Sequence, residues 1–350
     1  RKARPDMSLR SRLADRWPKD IPLQLIPKLE WSMQQPTYQD AQPQIIDAAL
    51  QRALRRPSGN WYAFAASTDV RTDRPFGTQV DGVEIVAWRD QQRTLHVGPA
   101  ACPHLGADLA TGKVDCGGLI CPWHGLRLDG GREFGWKPLR AYDDGVLVWV
   151  RLDAADGDVG EGGGREQPLD APVIPVRPAG AALAAVARLE GTCEPGDVIA
   201  NRLDPWHGAW FHPYSFTQLE VLSAPALDAD EDADRFLVAV TFRMGRLGVP
   251  VIAEFTAPEP RTIVMRIVDG EGAGSVVETH ATPVGRGPDG RPRTAVLEAV
   301  IAQSDREGFR HSLRAARLIT PMMRFAATRL WRDDLAYAER RYALRANTGG

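Results

Sequence analysis

Cysteine is scarce in this chain, with four residues among 350. A small secreted scaffold held together by disulfides needs a much higher share of cysteine, so that class is excluded, and the low count favours a reducing, cytoplasmic compartment. Long apolar runs are also missing, because no uninterrupted run approaches the roughly 18 residues that a transmembrane helix needs. We therefore expect a cytoplasmic protein without a transmembrane segment.

An excess of either charge is lacking as well. The 43 Lys and Arg residues nearly balance the 45 Asp and Glu residues, which gives a formal net charge of -2. A dedicated nucleic-acid-binding protein would carry a strong basic excess, so we expect no nucleic-acid partner. At about 100–200 residues per domain, the chain length predicts two domains.

The sequence pattern divides the chain into four parts. Residues 1–56 form an N-terminal extension, which ends in an amphipathic lead-in helix over 44–56 because apolar residues recur there at near-helical spacing. Residues 57–153 hold short β-branched or aromatic segments cut by turn residues, which predicts a small antiparallel β domain. The glycine-rich stretch 154–170 is interpreted as a linker, and 171–350 form the second domain.

The second domain is predicted to be α+β, with one twisted antiparallel sheet covered by helices. Its strand-like segments are 235–244, 261–268, 274–284 and 293–302. From Ser304 onward the pattern is helical. We expect Pro321 to break this helical region, because proline removes a backbone donor and clashes with the preceding turn.

Two of the four cysteines belong to a compact set of metal-ligand residues. Cys102 and His104 form a Cys-x-His pair, and Cys121 and His124 form a Cys-x2-His pair. A Cys2His2 zinc finger keeps its cysteines in one pair and its histidines in the other, whereas each loop here offers one thiolate and one imidazole. Such loops can hold a two-iron cluster, with the cysteines on one iron and the histidines on the other, as in a Rieske [2Fe-2S] centre. An unusual zinc site and four unrelated core residues are the alternatives.

A second set of potential ligands opens the second domain. Asp204, His207 and His212 follow the spacing Asp-x2-His-x4-His. Two histidines with one carboxylate can bind non-haem Fe(II) on one face and leave positions open for O2 and substrate. The spacing predicts a short irregular helix, with Asp204 near its start and Pro205 in its first turn. Taken alone, Asp204 has the alternative role of a helix N-cap, and the histidines that of buried polar residues beside Trp206.

Together, the two sets resemble the Rieske non-haem iron oxygenases, also called ring-hydroxylating oxygenases. Large subunits of that family join an N-terminal Rieske domain to a helix-grip (START-like) catalytic domain, and the resemblance extends over about residues 57–345. The family motif Asn-x2-Asp-x2-His-x4-His is met at Asn201, Asp204, His207 and His212. Neither ligand loop carries the additional cysteine of the respiratory Rieske proteins, so the resemblance is to the oxygenase type.

The resemblance implies a role for each residue of this motif. His207 and His212 would bind the mononuclear iron, and Asp204 would not. Asp204 would instead bridge His207 to His124 of the partner subunit and so give electrons a short hydrogen-bonded path. Asn201 belongs to the same catalytic motif. A bridge between subunits implies a head-to-tail ring, usually a homotrimer.

The third iron ligand must then come from elsewhere, and on the family pattern it is a carboxylate of a C-terminal helix. Asp333 and Asp334 are adjacent in 330–344, and only one of them can face the iron because successive helical residues point about 100° apart. Helical geometry alone does not choose between them. The family arrangement implies Asp334, with Glu339 five residues later. A solvated acidic turn paired with neighbouring arginines is the alternative.

The resemblance implies an oxidoreductase, namely a terminal oxygenase component that activates O2 at mononuclear Fe(II) with electrons passed through a Rieske [2Fe-2S] cluster. The electrons would come from NAD(P)H through a separate flavin reductase or ferredoxin, because the chain shows no convincing nucleotide or flavin motif. We expect hydroxylation of a hydrophobic small molecule, with demethylation or desaturation as variants, rather than the dihydroxylation of a dioxygenase. The alternative is a Rieske electron-transfer protein fused to an apolar-ligand-binding domain without oxygenase activity.

The substrate pocket of such an enzyme should be mostly apolar. Aromatic and sulfur-containing side chains of the second domain are the candidate lining residues: Trp206, Trp210, Phe211, Phe216, Met265 and Phe325. The helical stretch 313–332 mixes arginines with apolar residues. We interpret it as a covering helix with a solvated basic face, with peripheral membrane contact or docking of an acidic ferredoxin as alternatives.

Overall fold

The computed structural model describes residues 23–26, 34–153, 166–230 and 233–348. Much of the predicted N-terminal extension and most of the predicted linker, including residues 154–165, lie outside these ranges. The described chain combines a β domain with a large antiparallel sheet that is covered by helices. The predicted α+β fold class is therefore confirmed.

The amphipathic segment before the β domain forms helix α1 (Pro43–Leu54). Its proline lies at the start of the helix, where the missing N–H costs no helical hydrogen bond. Ile46, Ala49 and Leu50 are buried in a core that otherwise consists of residues of the second domain. Helix α1 therefore packs on the second domain.

The β domain consists of three small antiparallel sheets, with strand orders β2-β10-β9, β3-β4-β5 and β6-β7-β8. Its strands are β2 (Trp61–Ala66), β3 (Phe76–Val80), β4 (Val83–Arg89), β5 (Leu95–Pro99), β6 (Lys113–Asp115), β7 (Gly118–Ile120), β8 (Arg127–Leu128), β9 (Arg140–Asp143) and β10 (Leu147–Arg151). Cys102 and His104 follow β5, whereas Cys121 and His124 lie between β7 and β8. Both ligand pairs are therefore on loops, as their spacing predicted.

The second domain is built on one antiparallel sheet with the order β11-β17-β16-β15-β14-β13-β12, and the short strand β1 (Gln24–Leu25) pairs with β14. The strands are β11 (Leu183–Gly191), β12 (Phe216–Ser223), β13 (Arg235–Met244), β14 (Leu247–Glu259), β15 (Thr262–Gly270), β16 (Val276–Arg286) and β17 (Pro292–Ala302). The four strand-like segments of the sequence correspond to β13, β15, β16 and β17.

Strand β14, the longest of this sheet, was not predicted, and neither were β11 and β12. Strand β14 contains Pro250 and Pro258, and proline normally excludes a segment from a sheet interior. The structure places both prolines where pairing with β15 is absent or irregular, whereas Pro250 pairs regularly with Thr241 of β13. Pro250 precedes Val251, the first residue of β14 paired with β15, and Pro258 lies in the register shift between Thr256 and Glu259. Neither proline therefore interrupts a regular stretch of the β14–β15 ladder.

The helices of the second domain are α2 (Pro195–Arg202), α3 (Gly208–Phe211), α4 (Phe309–Arg314) and α5 (Ala316–Thr348). The expectation that Pro321 breaks the C-terminal helix is wrong, because Pro321 lies inside α5. Pro321 is the sixth residue of α5, so it has a helical φ but removes one hydrogen bond within the helix. No helix in the described part of the chain is long and apolar enough to cross a membrane.

The two domains share an apolar interface and a buried ion-pair network. Trp61 and Trp149 of the β domain pack with Leu297 of β17. Arg177 lies 2.8 Å from the Asp144 carboxylate of the β domain and 2.6 Å from that of Glu278 on β16. Burial alone would raise the pKa of both carboxyls, but Arg177 lowers each below its usual range. One guanidinium therefore forms ion pairs with two buried carboxylates across the domain interface.

Replacing Arg177 by methionine should lower the free energy of unfolding by about 3 kcal/mol, because it leaves two buried carboxylates without their cation. The stabilisation is present at neutral pH and is lost as the pH falls through the folded-state pKa values, since both are lowered. Denaturant unfolding at several pH values measures this. Arg71→Met is the matched control, because the Arg71–Asp73 pair is exposed and should change stability by less than about 1 kcal/mol. Equal effects of the two variants would contradict the assignment.

Candidate metal centres

The two ligand loops of the β domain have the same local conformation. The Cys102 N–H donates to the Ala107 carbonyl and the Gly106 N–H to the Cys102 carbonyl, both at 2.8 Å. The second loop repeats both bonds, from Cys121 to Leu126 at 2.8 Å and from Gly125 to Cys121 at 3.1 Å. Both loop glycines have positive φ, +76° and +72°, which favours glycine at these positions. The sequence therefore builds two equivalent turns, each with a cysteine at its base.

The cysteines and histidines of these loops differ in exposure. Cys102 and Cys121 are buried in the core of the domain, whereas His104 and His124 are exposed at the loop tips with ring centroids 4.8 Å apart. Burial opposes ionisation of both thiols, yet backbone N–H groups that approach the Cys121 sulfur, first from Trp123, hold its pKa below the usual value. Two sulfurs below two imidazoles fit a [2Fe-2S] cluster with mixed ligands.

The remaining cysteines lie outside the ligand loops. Cys116 is exposed in the turn between β6 and β7, and Cys193 is fully buried before α2. Burial raises the pKa of the Cys193 thiol to about 12, so it remains protonated at neutral pH. Neither residue belongs to the cluster of potential metal ligands found among the described residues, which consists of His207, His212 and Asp334.

The second ligand set lies where helices α2 and α3 meet the C-terminal helix. Asn201 is near the end of α2, and Asp204 precedes a single 3-10 turn, Pro205–His207, that continues into α3. His212 follows α3 directly. Trp206 is buried in the domain core and anchors the turn. The predicted short irregular helix is thus a 3-10 turn joined to a short α-helix.

The structure brings His207, His212 and Asp334 together. The Asp334 Oδ1 atom lies 2.8 Å from His212 Nε2 and 3.2 Å from His207 Nε2, and these residues form a group whose ligand atoms all lie within 4.8 Å of one another. Asp334 is completely buried, and its Oδ2 atom has no hydrogen-bond partner among the described residues. Two imidazoles and a buried, incompletely bonded carboxylate are a suitable donor set for non-haem iron.

The charge state of this group is set by mutual contacts. Burial would raise the pKa of Asp334, but the two histidines lower it well below its usual range. Burial would likewise lower the pKa of His207, but Asp334 raises it. The His207 Nδ1–H donates to the backbone carbonyl of Asp204, which leaves Nε2 directed at the carboxylate. Such a bond fixes the tautomer in which Nε2 can bind a metal.

Helix α5 explains why Asp334 rather than Asp333 enters the group. Its buried residues include Ala327, Trp331, Leu335 and Ala338, whose spacing of three and four residues defines one face, and Asp334 lies on that face. Asp333 lies beside this buried face of the helix. There it accepts a hydrogen bond from Tyr214, and its Oδ2 atom lies 3.7 Å from Nδ1 of His212. A solvated acidic turn, the alternative for this pair, does not describe Asp334.

Asn201 and Asp204 lie beside the same group. The Asn201 amide donates to Asp334 Oδ1 at 3.1 Å, so it helps to orient this carboxylate. The Asp204 side chain makes no helix-cap hydrogen bond, which removes the support for the N-cap alternative. Its Oδ2 atom accepts a 3.3 Å bond from Tyr337, and its buried Oδ1 atom has no hydrogen-bond partner among the described residues.

A cavity of about 330 Å³ opens onto His207 and His212. Most of its wall is apolar: Leu219, Val238, Val240, Phe242, Phe255, Val277, Val300, Met323, Ala327 and Leu330. Of the predicted lining residues, Phe216 and Met265 belong to the wall. The prediction is wrong for Trp206, Trp210 and Phe211, which do not line this cavity, and for Phe325, which is exposed on the outside of α5. Larger clefts exist on the described surface, but they do not reach these histidines.

Four polar residues near the site were not found from the sequence. Tyr337 contacts Asp204, and Tyr214 contacts His212. No sequence pattern distinguishes these two tyrosines from other aromatic residues of the chain. Arg202 and Glu298 contribute charged side chains to the cavity wall. For Glu298 a signal existed, because it is the one charged residue in the apolar stretch 295–302 of strand β17. Burial raises its pKa, although Arg202 opposes this.

Comparison with known families decides how the chain is classified. A family model described as "Domain of unknown function (DUF5914)" matches residues 163–349, more than half of the chain. The chain belongs to the DUF5914 family. A second model, the Rieske [2Fe-2S] domain, matches residues 60–141, which contain both Cys-His loops. The prediction of a Rieske domain is therefore confirmed, and this DUF5914 protein joins it to the domain that contains the His207 site.

Curated relatives resemble this DUF5914 protein over its Rieske part. The oxygenase component of 3-ketosteroid-9-alpha-monooxygenase from Rhodococcus rhodochrous is 33% identical over 70 residues, 20% of this chain and 18% of that protein. The vanillate O-demethylase oxygenase subunit from Pseudomonas sp. (strain HR199 / DSM 7063) is 38% identical over 72 residues, 21% of this chain and 20% of that protein. The matched segment thus spans about a fifth of the length of these relatives.

A solved structure extends the likeness to the whole architecture. The crystal structure of dicamba monooxygenase bound to dicamba aligns with a TM-score of 0.56 and 16% identity, covering 84% of this chain and 90% of that one. At this identity the likeness concerns the fold. Together with the Rieske match, it confirms the resemblance to the Rieske non-haem iron oxygenases that the two ligand motifs indicated.

Proposed function

We propose that this DUF5914 protein is the terminal oxygenase component of a multi-protein system, which uses O2 and electrons from a separate reductase to hydroxylate a hydrophobic small molecule. Oxidative demethylation or desaturation are variants of the same chemistry. The observation that carries the proposal is the convergence of His207, His212 and Asp334 at one end of an apolar cavity, in a chain that also has a Rieske domain.

Both donor sets fit the groups that this function requires. Cys102, His104, Cys121 and His124 would hold a [2Fe-2S] cluster, and His207, His212 and Asp334 would hold one Fe(II) ion. When bound, the cluster supplies single electrons and the mononuclear iron supplies the site at which O2 is reduced.

The protein's own residues orient the donors and exclude water. The backbone carbonyl of Asp204 fixes the tautomer of His207, and Asn201 holds the Asp334 carboxylate. Apolar walls on the sheet and on α5 surround the substrate, which strengthens polar contacts inside the cavity and protects reactive species from solvent. Phe216 and Met265 contribute to this wall.

Electron delivery requires a contact between the Rieske loops and the His207 group. In the described residues, no hydrogen bond, ion pair or ring contact joins the Rieske loops to the His207 group. We propose that Asp204 bridges His207 to His124 of the partner subunit in a head-to-tail homotrimer. The buried Oδ1 atom of Asp204, which lacks a hydrogen-bond partner among the described residues, supports this role, as does the exposure of His124.

The proposed partners and location follow from the same function. A ferredoxin or a flavin reductase would pass on electrons from NAD(P)H, and the scarcity of cysteine supports a cytoplasmic location. Leu318, Met322 and Phe325 form an exposed apolar row on α5 beside the exposed Arg314 and Arg317. An apolar row flanked by arginines supports peripheral contact with a membrane surface, from which a lipophilic substrate could reach the cavity.

The alternative is a Rieske electron carrier fused to an apolar-ligand-binding domain. Iron analysis separates the two functions, because the oxygenase should contain about three irons per chain and the carrier about two. The convergence of His207, His212 and Asp334 favours the oxygenase, since an electron carrier does not need a second set of metal ligands.

The decisive experiment combines iron analysis with a single turnover driven by hydrogen peroxide, in which a panel of apolar compounds is screened by mass spectrometry. We expect the wild type to form a product that has gained one oxygen atom, and His207→Ala to lose about one iron and the product. His311→Ala is the matched control, because His311 is an exposed histidine on α4. Product formation by His207→Ala would refute the iron site, and two irons in the wild type would favour the carrier.

A further inference from the structure

The apolar cavity contains one buried ion pair that the metal site does not use. Arg202, the last residue of α2, and Glu298, in the middle of β17, both line the cavity. Their side chains are 10% and 4% exposed, and the closest approach between them is 3.6 Å. Burying charge in an apolar wall is costly unless the charge has a partner, so the pair calls for an explanation.

The Arg202 guanidinium is incompletely satisfied within the chain. At 3.6 Å the contact with Glu298 is an ion pair but too long for a hydrogen bond. The buried Nε atom of Arg202 has no hydrogen-bond partner among the described residues. The rings of Phe255 and Trp331 lie 5.9 and 5.8 Å from the guanidinium carbon and support it from the side. Arg202 is therefore held in place with donors still free.

Glu298, in contrast, is bonded on one side by the protein. It accepts a 2.5 Å hydrogen bond from the Thr279 hydroxyl on the neighbouring strand β16. This bond holds the carboxyl group against the sheet and beside Arg202. The cavity wall thus offers a hydrogen-bond donor beside an acidic group.

We propose that the cavity takes an apolar molecule with one neutral carbonyl-type oxygen, and that Arg202 is the specificity-determining residue that binds this oxygen. The inference rests on the proposed function only in that the molecule is the substrate; the recognition itself is a binding property. Because Glu298 already stands beside Arg202, a second carboxylate there would meet a like charge. The ion pair therefore favours a neutral acceptor over an anionic one.

The same arrangement would fix the orientation of the molecule in the cavity. An oxygen held by Arg202 leaves the apolar remainder along the wall formed by Phe216, Phe242 and Met265. A site that is built to bond a polar group rejects analogues without it, since its own buried donors would otherwise stay unpaired. The ion pair would thus act as an anchor for orientation as well as for affinity.

Three compounds that share the fluorene ring system test this inference: fluorene, 9-fluorenone and fluorene-9-carboxylate. Their binding to the holoprotein is measured by equilibrium dialysis without reductant, so the result does not depend on turnover. We expect the wild type to bind fluorenone at least about tenfold more tightly than fluorene or the carboxylate. In Arg202→Met the preference for fluorenone should reverse, because the carbonyl then loses its partner on leaving water.

Two further variants complete the experiment, one as a control and one as a second test. Arg243 also lines the cavity, but its guanidinium already donates to the Gly245 and Pro213 carbonyls, so Arg243→Met should keep the preference for fluorenone. Glu298→Gln removes the acidic neighbour and should raise the affinity for the carboxylate at least about tenfold. This variant tests the availability of Arg202 even if Arg202→Met does not fold.

Three results would overturn the inference: no preference for fluorenone in the wild type, a preference that persists in Arg202→Met, or an unchanged carboxylate affinity in Glu298→Gln. Failure of the proposed function looks different. A protein that binds fluorenone through Arg202 but forms no oxygenated product with peroxide would keep the recognition site and lose the oxygenase assignment.

Discussion

Replacing Asp334 by alanine should remove the mononuclear iron, so that the iron content falls from about three to about two per chain while the visible spectrum of the Rieske cluster stays unchanged. Asp334 is the only carboxylate among the described residues whose oxygen lies within reach of both His207 and His212. Peroxide-driven product formation should fall by more than about 100-fold, because loss of a ligand exceeds the effect of losing a supporting contact. Iron analysis and mass spectrometry measure both quantities.

Asp333→Asn is the matched control for this experiment. Asp333 neighbours Asp334 in sequence but contacts the outer nitrogen of His212 and the Tyr214 hydroxyl. The variant should therefore keep its third iron, although loss of a contact behind a ligand weakens metal binding about 10–100-fold. If Asp333→Asn lost the iron and Asp334→Ala retained it, the assignment of the two carboxylates would have to be exchanged.

Asp204→Asn should separate electron delivery from chemistry. Both metal sites should remain loaded, and the peroxide-driven reaction should proceed, because Asp204 does not belong to the His207, His212 and Asp334 group. Turnover with NAD(P)H and a reductase should fall by at least about 100-fold, because the hydrogen-bonded path depends on exact placement of its members. Stopped-flow measurement of cluster oxidation detects the block directly. Tyr337→Phe, which removes a single 3.3 Å bond to Asp204, should have a much smaller effect.

Mixed assemblies show whether the path crosses between subunits. Neither Asp204→Asn nor His124→Ala should turn over alone with the reductase. When the two are co-assembled, an intact cluster in one subunit can face an intact Asp204 in the next, and about a quarter of the contacts in a random head-to-tail ring have this arrangement. Recovery of about that share of wild-type turnover supports the bridge, whereas a path within one chain predicts none.

The sequence predicted the Rieske loops well because their ligands are local. Cys102 lies two residues from His104 and Cys121 three residues from His124, so each pair is placed by one turn, and the turn depends on a glycine. Such short-range geometry follows from residue type and spacing alone. The strands with regular β patterning, including β13 and β17, were predicted for the same reason.

Errors arose where packing outweighed a local preference. Strand β14 continues through two prolines because they occur where its pairing with β15 is absent or shifted, and neighbouring strands supply the remaining hydrogen bonds. Helix α5 continues past Pro321 because the buried face that follows, with Trp331 and Leu335, holds the helix on the sheet. A proline costs free energy at one residue, and the burial of apolar side chains along the whole element contributes more than that cost.

The sequence by itself determined the ligand types, the two-part architecture and the motif that contains Asn201, Asp204, His207 and His212. Helical geometry left Asp333 and Asp334 open and only the family resemblance implied Asp334, whereas the tertiary structure places Asp334 against the histidines through the rotation of α5 on the sheet. It also brought Arg202 and Glu298 to one cavity wall, although 95 residues separate them in the chain. Contacts over such distances depend on strand register and helix docking, which no local pattern specifies.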